Sequence, residues 1–265
     1  MSKTTMRSSA LKVREVLASY GDKKVRGKIV QADALTFLKS LTSESADLVF
    51  LDPPFNLGKL YSSRNRDIDR KPEEEYSRWL EKIVSESGRV LVPGGALYLY
   101  HLPKWAMLLG SVLVGKSGLK FLHWIAISMK NGFVRGERLY PAHYALLLFT
   151  KGRPKIFNRP KIEPTKCRHC DRLIKDYGGY RSIIERQGIN LSDFWDDLSP
   201  VRHANRKNRK ANELPQLLFS RVMGISGIDG GVYVDPFLGS GSGIVAAVRA
   251  GMRFYGCDLL RSIKY

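Results

Sequence analysis

Short apolar runs alternate with segments of helical periodicity along most of the chain. The runs are nearly continuous in apolar side chains, which is typical of buried strands in a parallel sheet. Predicted strands cover residues 28–31, 48–51, 96–100 (after a turn at Gly94-Gly95), 121–128, 144–149, 231–235 and 253–258. Predicted helices cover residues 34–41, 72–84, 104–114, 217–223 and 244–250. This alternation predicts an α/β fold with a doubly wound, mostly parallel sheet.

Two stretches depart from this alternation and define the predicted domain organisation. Residues 1–24 are polar and basic, with one short helical pattern from Leu11 to Leu17, and are expected to form an N-terminal arm that is loose or docks on the core. Residues 153–201 contain several prolines and no regular period, and are expected to form an inserted region. Residues 25–152 and 202–265 then make up one further domain, since 265 residues can bury one sizeable core.

Two consecutive prolines end the second predicted strand. Residues 48–51 are apolar, and Asp52-Pro53-Pro54-Phe55 follows them directly. Proline has no N–H with which to continue a sheet, so the chain must turn here. The turn presents carbonyl acceptors in a stiff geometry, with a carboxylate at Asp52 and an aromatic face at Phe55. These groups could hold a planar exocyclic amino group, and a rigid structural turn remains the alternative.

A glycine-rich turn follows the strand at 231–235. The sequence Asp-Pro-Phe-Leu-Gly-Ser-Gly at 235–241 leads into the predicted helix at 244–250. Glycines allow the backbone to approach a ligand closely, as in other nucleotide-binding turns between a strand and a helix. The turn is neither GxGxxG nor a P-loop, because no Gly-Lys-Ser/Thr follows it. The next strand ends at Asp258, a position where such folds bind ribose hydroxyls.

The order of the two turns resembles that of a known enzyme family. Asp-Pro-Pro-Phe at 52–55, followed by Asp-Pro-Phe-Leu-Gly-Ser-Gly at 235–241, is similar to the paired motifs of the β class of S-adenosylmethionine-dependent DNA amino-methyltransferases. In that family the catalytic tetrapeptide precedes the cofactor-binding FxGxG loop. The resemblance extends from about Val25 to Asp258 and implies a seven-stranded, Rossmann-like sheet with a small inserted target-recognition element. It implies that residues 25–152 and 202–265 form the catalytic and cofactor-binding domain and that residues 153–201 form the target-recognition region.

The resemblance also implies a reaction. It implies methyl transfer from S-adenosylmethionine to the N6 amino group of an adenine flipped out of double-stranded DNA, because family members with Asp first in the tetrapeptide resemble adenine enzymes. Transfer to the N4 amino group of cytosine stays open, since the two reactions are chemically alike. Asp52, Pro53, Pro54 and Phe55 are the expected catalytic residues. Phe55 would stack on the base, while the Pro53 carbonyl and the Asp52 carboxylate would accept the amino hydrogens.

Cofactor-binding residues implied by the resemblance come from both halves of the chain. Two interpretations of Asp33 stay open, as the N-cap of helix 34–41 and as a contact to the adenine edge of the cofactor. The segment before the glycine-rich turn would line the methionine end, although it lacks the family's common His-Pro-Thr-Gln-Lys-Pro. The expected set is Asp33, Ala34, Asp52, Lys210, Asn212, Glu213, Asp235, Phe237, Gly239, Ser240, Gly241 and Asp258.

The charge of the chain indicates a polyanionic partner. Lys and Arg number 44 against 25 Asp and Glu, which leaves a net charge of +19. The residues predicted to contact DNA are Arg64, Arg66, Arg202, Arg206, Lys207 and Arg209. Basic residues with interleaved aromatics also favour DNA reading by region 153–201. For the basic residues, the alternative is that they are solvated surface charges. For region 153–201, the alternative is an irregular cap on the sheet.

Cysteine content and hydropathy bear on metal binding, on disulfides and on membrane association. Cys167 and Cys170 form a CxxC with no second pair of ligands, so we expect no metal and two buried, reduced thiols, with zinc left open. No stretch is long and apolar enough for a membrane span, so a cytoplasmic protein without membrane association is expected. Likeness to restriction-modification enzymes implies a cognate restriction endonuclease, and a homodimer is a further expectation.

Two other classes of function stay open from the sequence alone. A DNA-binding regulator without catalytic activity would explain the charge but does not require both motifs. A methyltransferase that acts on small molecules or on protein would explain the motifs but not the net charge of +19.

Overall fold

A mostly parallel sheet organises the structure, which is a computed structural model. It describes residues 12–20, 22–57, 70–116, 118–128, 137, 139, 141–167, 169–175, 177–198 and 213–259. Within these residues one sheet has nine strands, in the order β1-β2-β11-β10-β3-β4-β6-β5-β9. Its strands are β1 (Lys12–Tyr20), β2 (Lys23–Gln31), β3 (Ala46–Leu51), β4 (Leu91–His101), β5 (Lys120–Ser128), β6 (His143–Thr150), β9 (Phe194–Trp195), β10 (Val232–Asp235) and β11 (Arg253–Asp258). Two short strands, β7 (Lys161–Ile162) and β8 (Ile189–Asn190), pair with each other elsewhere.

Five neighbouring strands of this sheet run parallel. They are β2, β11, β10, β3 and β4. Strands β6 and β5 then continue the sheet in antiparallel pairing, which gives the seven strands implied by the resemblance. Two edge strands extend it further, since β1 pairs antiparallel with β2 and β9 pairs parallel with β5. The doubly wound α/β fold is therefore confirmed, with two more strands than the seven expected.

Helices cover both faces of the sheet. They are α1 (Ala34–Ser40), α2 (Glu73–Val90), α3 (Pro103–Lys116), α5 (Gln216–Ser226) and α6 (Ser242–Arg249). A further short helix, α4 (Arg181–Gln187), has no buried residue and contributes to neither core cluster. Side chains of β3 alternate between the two faces, as a strand requires. Leu48 and Phe50 pack with α5 and α6 in one core cluster, whereas Val49 and Leu51 pack with α1, α2 and α3 in the other. Burial on both faces explains why the run at 48–51 lacks polar positions.

The helical pattern proposed within the N-terminal arm is wrong. Residues 12–20 form strand β1, in a hairpin with β2. Val16 and Ala18 pack against the core, while Val13 and Leu17 are exposed. The spacing of the apolar residues imitated a helical period, and pairing with a long neighbouring strand decided the conformation. Residues 1–11 lie outside the described residues, and the boundary of the arm at 24 stays a prediction.

The turn expected at Gly94-Gly95 is a bulge inside a strand. Strand β4 already begins at Leu91, and its pairing with β3 shifts register between Ala46 and Leu48. Gly94 has a φ of 79°, and a Cβ there would lie 2.9 Å from the Arg153 carbonyl oxygen. A glycine is therefore needed for close approach of two backbones rather than for ending the strand.

The predicted inserted region is joined firmly to the sheet at its C-terminal side. Trp195 is 1% exposed and Leu198 is 3% exposed, and both belong to the core cluster beneath α5. Asp197 accepts a bidentate hydrogen bond from Arg221 of α5, with Nη1 at 2.7 Å from Oδ1. The Arg221 guanidinium also lies 5.2 Å from the ring centre of Trp195. The domain boundaries at 153 and 201 remain a prediction.

Among the helices of the described residues, none combines the length and the apolar character that crossing a bilayer demands.

Candidate active site

The carboxyl ends of the parallel strands bring the two predicted turns together. Strand β3 ends next to Asp52, and its neighbour β10 ends at Asp235. Strands β11 and β4 flank this pair and end at Asp258 and His101. Because all of these strands run in the same direction, their last residues meet at one edge of the sheet. Two turns that are remote in the sequence thus become neighbours.

A cleft lies between the two turns. It is open to solvent, and the space between its walls, open solvent included, is about 310 Å³. From the turn after β3 it is lined by Asp52, and from the glycine-rich turn by Phe237, Gly239 and Ser240. The complete lining is Phe50, Asp52, Glu213, Leu214, Phe219, Asp235, Phe237, Leu238, Gly239, Ser240 and Ser242. Six predicted site residues therefore share one cleft: Asp52, Glu213, Asp235, Phe237, Gly239 and Ser240.

Aromatic side chains surround the tetrapeptide at 52–55, whose catalytic role is a prediction. The Phe55 ring is stacked on His101 with centres 5.0 Å apart, and it also contacts Tyr100 at 5.9 Å and Tyr144 at 5.8 Å. Burial raises the pKa of Tyr100 well above its usual value, and the negative charge of Asp52 raises it further. Burial and Asp52 likewise raise the pKa of Tyr144. The site can therefore offer a wall of mutually tilted, mostly apolar rings beside the Asp52 carboxylate.

Two hydrogen-bond contacts from the region of α2 hold the tetrapeptide and the residue after it. The Tyr76 hydroxyl donates to the carbonyl oxygen of Pro54. The Asn56 side chain pairs twice with the backbone of Lys71, donating to its carbonyl at 2.9 Å and accepting from its N–H at 2.7 Å. Asn56 has a φ of 57°, a left-handed conformation that asparagine tolerates better than most residues. The turn is thus fixed on both sides, although its two prolines cannot donate hydrogen bonds.

The glycine-rich turn is organised by two aspartates. Asp235 accepts from the N–H of Phe237 at 3.0 Å and from the Tyr233 hydroxyl at 3.0 Å. Asp258 accepts from the N–H of Gly239 at 2.9 Å. Gly239 and Gly241 have φ values of 57° and 83°, which side chains with a Cβ rarely adopt. Left-handed glycines bend the chain sharply into helix α6, whose N-terminus then faces the cleft.

Three predicted cofactor-binding carboxylates lie around one buried thiol. The pKa of Cys257 is raised by burial and then by the charges of Asp258, Asp235 and Asp33. Asp33 also accepts from the N–H groups of Leu35 and Thr36, at 3.0 and 3.2 Å. Its role as the N-cap of α1 is therefore confirmed. A cofactor contact by Asp33 or by the adjacent, buried Ala34 stays a prediction.

The remaining predicted site residues divide into two groups. Pro53, Pro54, Phe55, Gly241 and Asp258 belong to the turns and strand ends that border the cleft, although they do not line it. The others lie outside the described residues: Lys210 and Asn212 for the cofactor, and Arg64, Arg66, Arg202, Arg206, Lys207 and Arg209 for DNA.

Sequence reasoning missed several residues of the site. Phe50, Phe219 and Leu214 line the cleft. Tyr100 and Tyr144 do not line it, but they form an aromatic wall against Phe55. Tyr100 and His101 could have been found, because they end the strand next to the one that carries Asp52. Tyr76 could not, since nothing in a helical pattern shows that one of its buried residues reaches a distant turn.

The expectation of two buried thiols in the CxxC is wrong. Both cysteines are free, but Cys170 is exposed and Cys167 is only partly buried. Backbone hydrogen bonds from His169 and Cys170 lower the pKa of Cys167. The two cysteines lie in a surface turn closed by the hydrogen bond from Asp171 N–H to the Cys167 carbonyl, too far from either core cluster to be covered.

Comparison with known proteins connects this geometry to a family. Residues 46–265 match the family N6_N4_Mtase, described as DNA methylase. The type II methyltransferase M.BamHI of Bacillus amyloliquefaciens is 42% identical over 234 residues, which are 88% of this chain and 54% of that protein. The chain thus spans about half the length of this relative.

Solved structures share the fold at lower identity. The cytosine-N4-specific PvuII DNA methyltransferase superposes with a TM-score of 0.62 at 15% identity, covering 88% of this chain and 82% of that one. M1.HpyAVI, solved as a complex with SAM, gives a TM-score of 0.57 at 16% identity, covering 88% of this chain and 93% of that one. Together with the match over residues 46–265, these findings mean that the chain belongs to the DNA methylase family.

Proposed function

We propose that this chain transfers a methyl group from S-adenosylmethionine to the N6 amino group of a flipped adenine in double-stranded DNA. One observation carries the proposal: Asp52 of the tetrapeptide lines the same cleft as Phe237, Gly239 and Ser240 of the glycine-rich turn. A base held by the first turn and a donor held by the second would meet in that cleft. Proximity and alignment can contribute about 7–11 kcal/mol to lowering the barrier of such a transfer.

The residues present fit a nucleoside cofactor. Left-handed Gly239 and Gly241 leave the turn without side chains that would fill the approach to the cleft. Asp258, fixed by the N–H of Gly239, ends the strand where ribose hydroxyls are bound in related folds. S-adenosylmethionine, when bound, supplies an electrophilic methyl group on a sulfonium. The likeness to M1.HpyAVI, which was solved with SAM, supports this choice of cofactor.

Each residue of the tetrapeptide has a proposed task. The Asp52 carboxylate and the Pro53 carbonyl would accept the two hydrogens of the amino group, which turns the nitrogen lone pair towards the donor. Phe55 would stack on the base with the ring face that His101 does not cover. After transfer the surplus proton would leave to Asp52 or to water. The aromatic wall of Tyr100 and Tyr144 would exclude water from the base.

Net charge supports DNA as the substrate. A charge of +19 favours a polyanion, and a base within a duplex must be flipped out before it can enter the cleft. The predicted DNA contacts at 64, 66 and 202–209 remain part of this proposal. So do a cognate restriction endonuclease, a homodimer and a cytoplasmic location.

Cytosine N4 is the second candidate target. The matching family includes both N6 and N4 enzymes by name, and the PvuII enzyme with the similar fold is specific for cytosine N4. Asp at the first position of the tetrapeptide, as in the adenine enzymes that the sequence resembles, favours adenine. A cytosine presents its amino group on a smaller ring, so the same donors and acceptors could serve both bases.

One experiment tests both the reaction and the base. Purified protein is incubated with S-adenosylmethionine and unmethylated genomic DNA, and the digested nucleosides are analysed by mass spectrometry. We expect N6-methyladenine. Detection of N4-methylcytosine alone would show that cytosine is the target base. Methyl groups found on protein and not on DNA would exclude both bases as targets. A parallel incubation with S-adenosylhomocysteine in place of the donor is the control.

A further inference from the structure

A hydrogen-bonded chain of two buried side chains runs from strand β4 to the carbonyl group of Pro54 in the catalytic turn. His101 ends β4 and is 0% exposed, and Tyr76 lies in α2 and is 2% exposed. The His101 Nε2 atom is 2.7 Å from the Tyr76 hydroxyl, and this hydroxyl is hydrogen-bonded to the carbonyl oxygen of Pro54. Neither Tyr76 nor His101 lines the cleft. Their hydrogen bonds lead instead to the tetrapeptide that contains Asp52.

The protons of this chain have one consistent arrangement. The backbone N–H of Leu102 donates to His101 Nδ1 at 2.8 Å, so Nδ1 is an acceptor. Burial lowers the pKa of His101 to about 3, so the ring is neutral and its proton resides on Nε2. The Nε2–H group therefore donates to the Tyr76 oxygen. Tyr76 has one proton of its own, and it donates that proton to Pro54.

The last acceptor of the chain controls the orientation of a catalytic residue. The Pro54 carbonyl and the Phe55 nitrogen belong to one planar peptide group. Fixing the carbonyl oxygen therefore fixes the plane from which the Phe55 side chain departs. His101 acts on the same residue a second time, because its ring stacks on Phe55 with an interplanar angle of 27°. Pro53 and Pro54 have no N–H, so half of the tetrapeptide's residues cannot donate a backbone hydrogen bond that would help to fix the turn.

We propose that His101 and Tyr76 are positioning residues for methyl transfer, acting through the hydrogen bonds from His101 to Tyr76 and from Tyr76 to the Pro54 carbonyl. This relay holds the tetrapeptide in the geometry that aligns the amino group, and it does not contribute to holding the cofactor. The inference rests on the proposed function. It assigns a task to two buried polar residues outside both motifs.

Tyr76→Phe tests the relay with little change in packing. The variant keeps the ring that packs on Trp105 at 4.5 Å and removes only the hydroxyl. We expect kcat for DNA methylation to fall by about 100-fold, the loss typical of a catalytic group displaced by about 1 Å. The calorimetric Kd for S-adenosylmethionine should change by less than about twofold, because the cofactor is held by the other turn. Tyr98→Phe is the matched control: Tyr98 is buried and hydrogen-bonded to Ser226 at 2.8 Å, but lies outside the relay.

His101 variants separate a hydrogen-bond role from a packing role. His101→Gln can place an amide N–H near the position of Nε2, whereas His101→Leu cannot donate. The glutamine variant should retain at least about tenfold more of kcat than the leucine variant. This difference should disappear when both substitutions are made in the Tyr76→Phe background, because the donor then has no hydroxyl to orient. Equal kcat values for the two single variants would overturn the relay.

A spectroscopic measurement keeps the inference independent of the reaction. In ¹⁵N-histidine-labelled protein, the His101 ring should be in the Nε2–H form down to about pH 5, given its buried environment. A ring protonated on Nδ1, or a Tyr76→Phe variant with unchanged kcat, would contradict the proposal. A wild-type protein that methylates no DNA while showing the Nε2–H form would contradict the proposed function instead.

Discussion

Asp52 and Asp235 border the same cleft from neighbouring parallel strands, although they lie in opposite parts of the chain. Strands β3 and β10 pair in a register that places Val49 beside Val234, so the two aspartates extend from the same edge. Both aspartates affect one hydroxyl group. Burial raises the pKa of Tyr233, and the negative charges of Asp235 and Asp52 raise it further. One aspartate is assigned to the amino group of the base and the other to the turn that holds the cofactor.

Because the two aspartates have different proposed roles, Asp52→Ala should affect methyl transfer much more than cofactor binding. Methyl transfer should be abolished, because the amino group loses an acceptor that orients its lone pair. The calorimetric Kd for S-adenosylmethionine should remain within about tenfold of the wild-type value, since the glycine-rich turn is untouched. Retained methylation by Asp52→Ala would remove this residue from the mechanism.

Gly241→Ala should weaken cofactor binding as well as stability. Gly241 has a φ of 83° and precedes α6 at the cleft, so a Cβ there adds strain of about 1–2 kcal/mol. Gly230→Ala is the matched control, because Gly230 has a φ of 73° but lies in an open turn away from the cleft. Both variants should unfold at lower urea concentrations, and only Gly241→Ala should raise the Kd for S-adenosylmethionine. A similar Kd for the two variants would argue against a cofactor role of this turn.

Asp197→Ala should destabilise the attachment of the inserted region. The substitution leaves the Arg221 side chain, which is 6% exposed, without its bidentate partner, while Asp197 itself is 49% exposed. We expect the free energy of unfolding to fall by about 1–3 kcal/mol. This loss is smaller than for a fully buried ion pair, because one partner is half exposed. Glu185→Ala breaks the exposed pair with Arg181, at 3.0 Å, and should change stability by less than about 0.5 kcal/mol. Urea titrations of the two variants decide whether the difference exists.

Acidification should destabilise the protein partly through His101. Burial lowers its pKa to about 3 in the folded state, against 6.5 for an ordinary histidine, so between these values the unfolded chain binds more protons. The neutral His101 ring makes its full contribution to the free energy of unfolding above about pH 6.5, and this contribution is lost as the pH falls towards 3. The free energy of unfolding should therefore fall more steeply for wild type than for His101→Gln, by up to about 1.4 kcal/mol per pH unit between about pH 4 and 6. Parallel curves would show that His101 is not held neutral.

Prediction from sequence succeeded where the signal was local. The apolar runs and the proline and glycine turns located the central strands, both motif turns and the cap at Asp33, because each depends on adjacent residues. It failed at residues 12–20, where pairing with β2 overrode an apparent helical period. It also failed at Cys170, whose exposure depends on where the inserted region lies relative to the core.

The sequence by itself determined that the chain has a double-proline turn and a glycine-rich turn after buried strands, and which residue types each turn presents. Only the tertiary structure decided that the turns share a cleft, because that depends on β3 and β10 becoming neighbours in parallel register. It also decided which distant side chains support them. Packing of α2 against the sheet brings the Tyr76 hydroxyl to the Pro54 carbonyl and His101 to that hydroxyl, and no local pattern records such contacts.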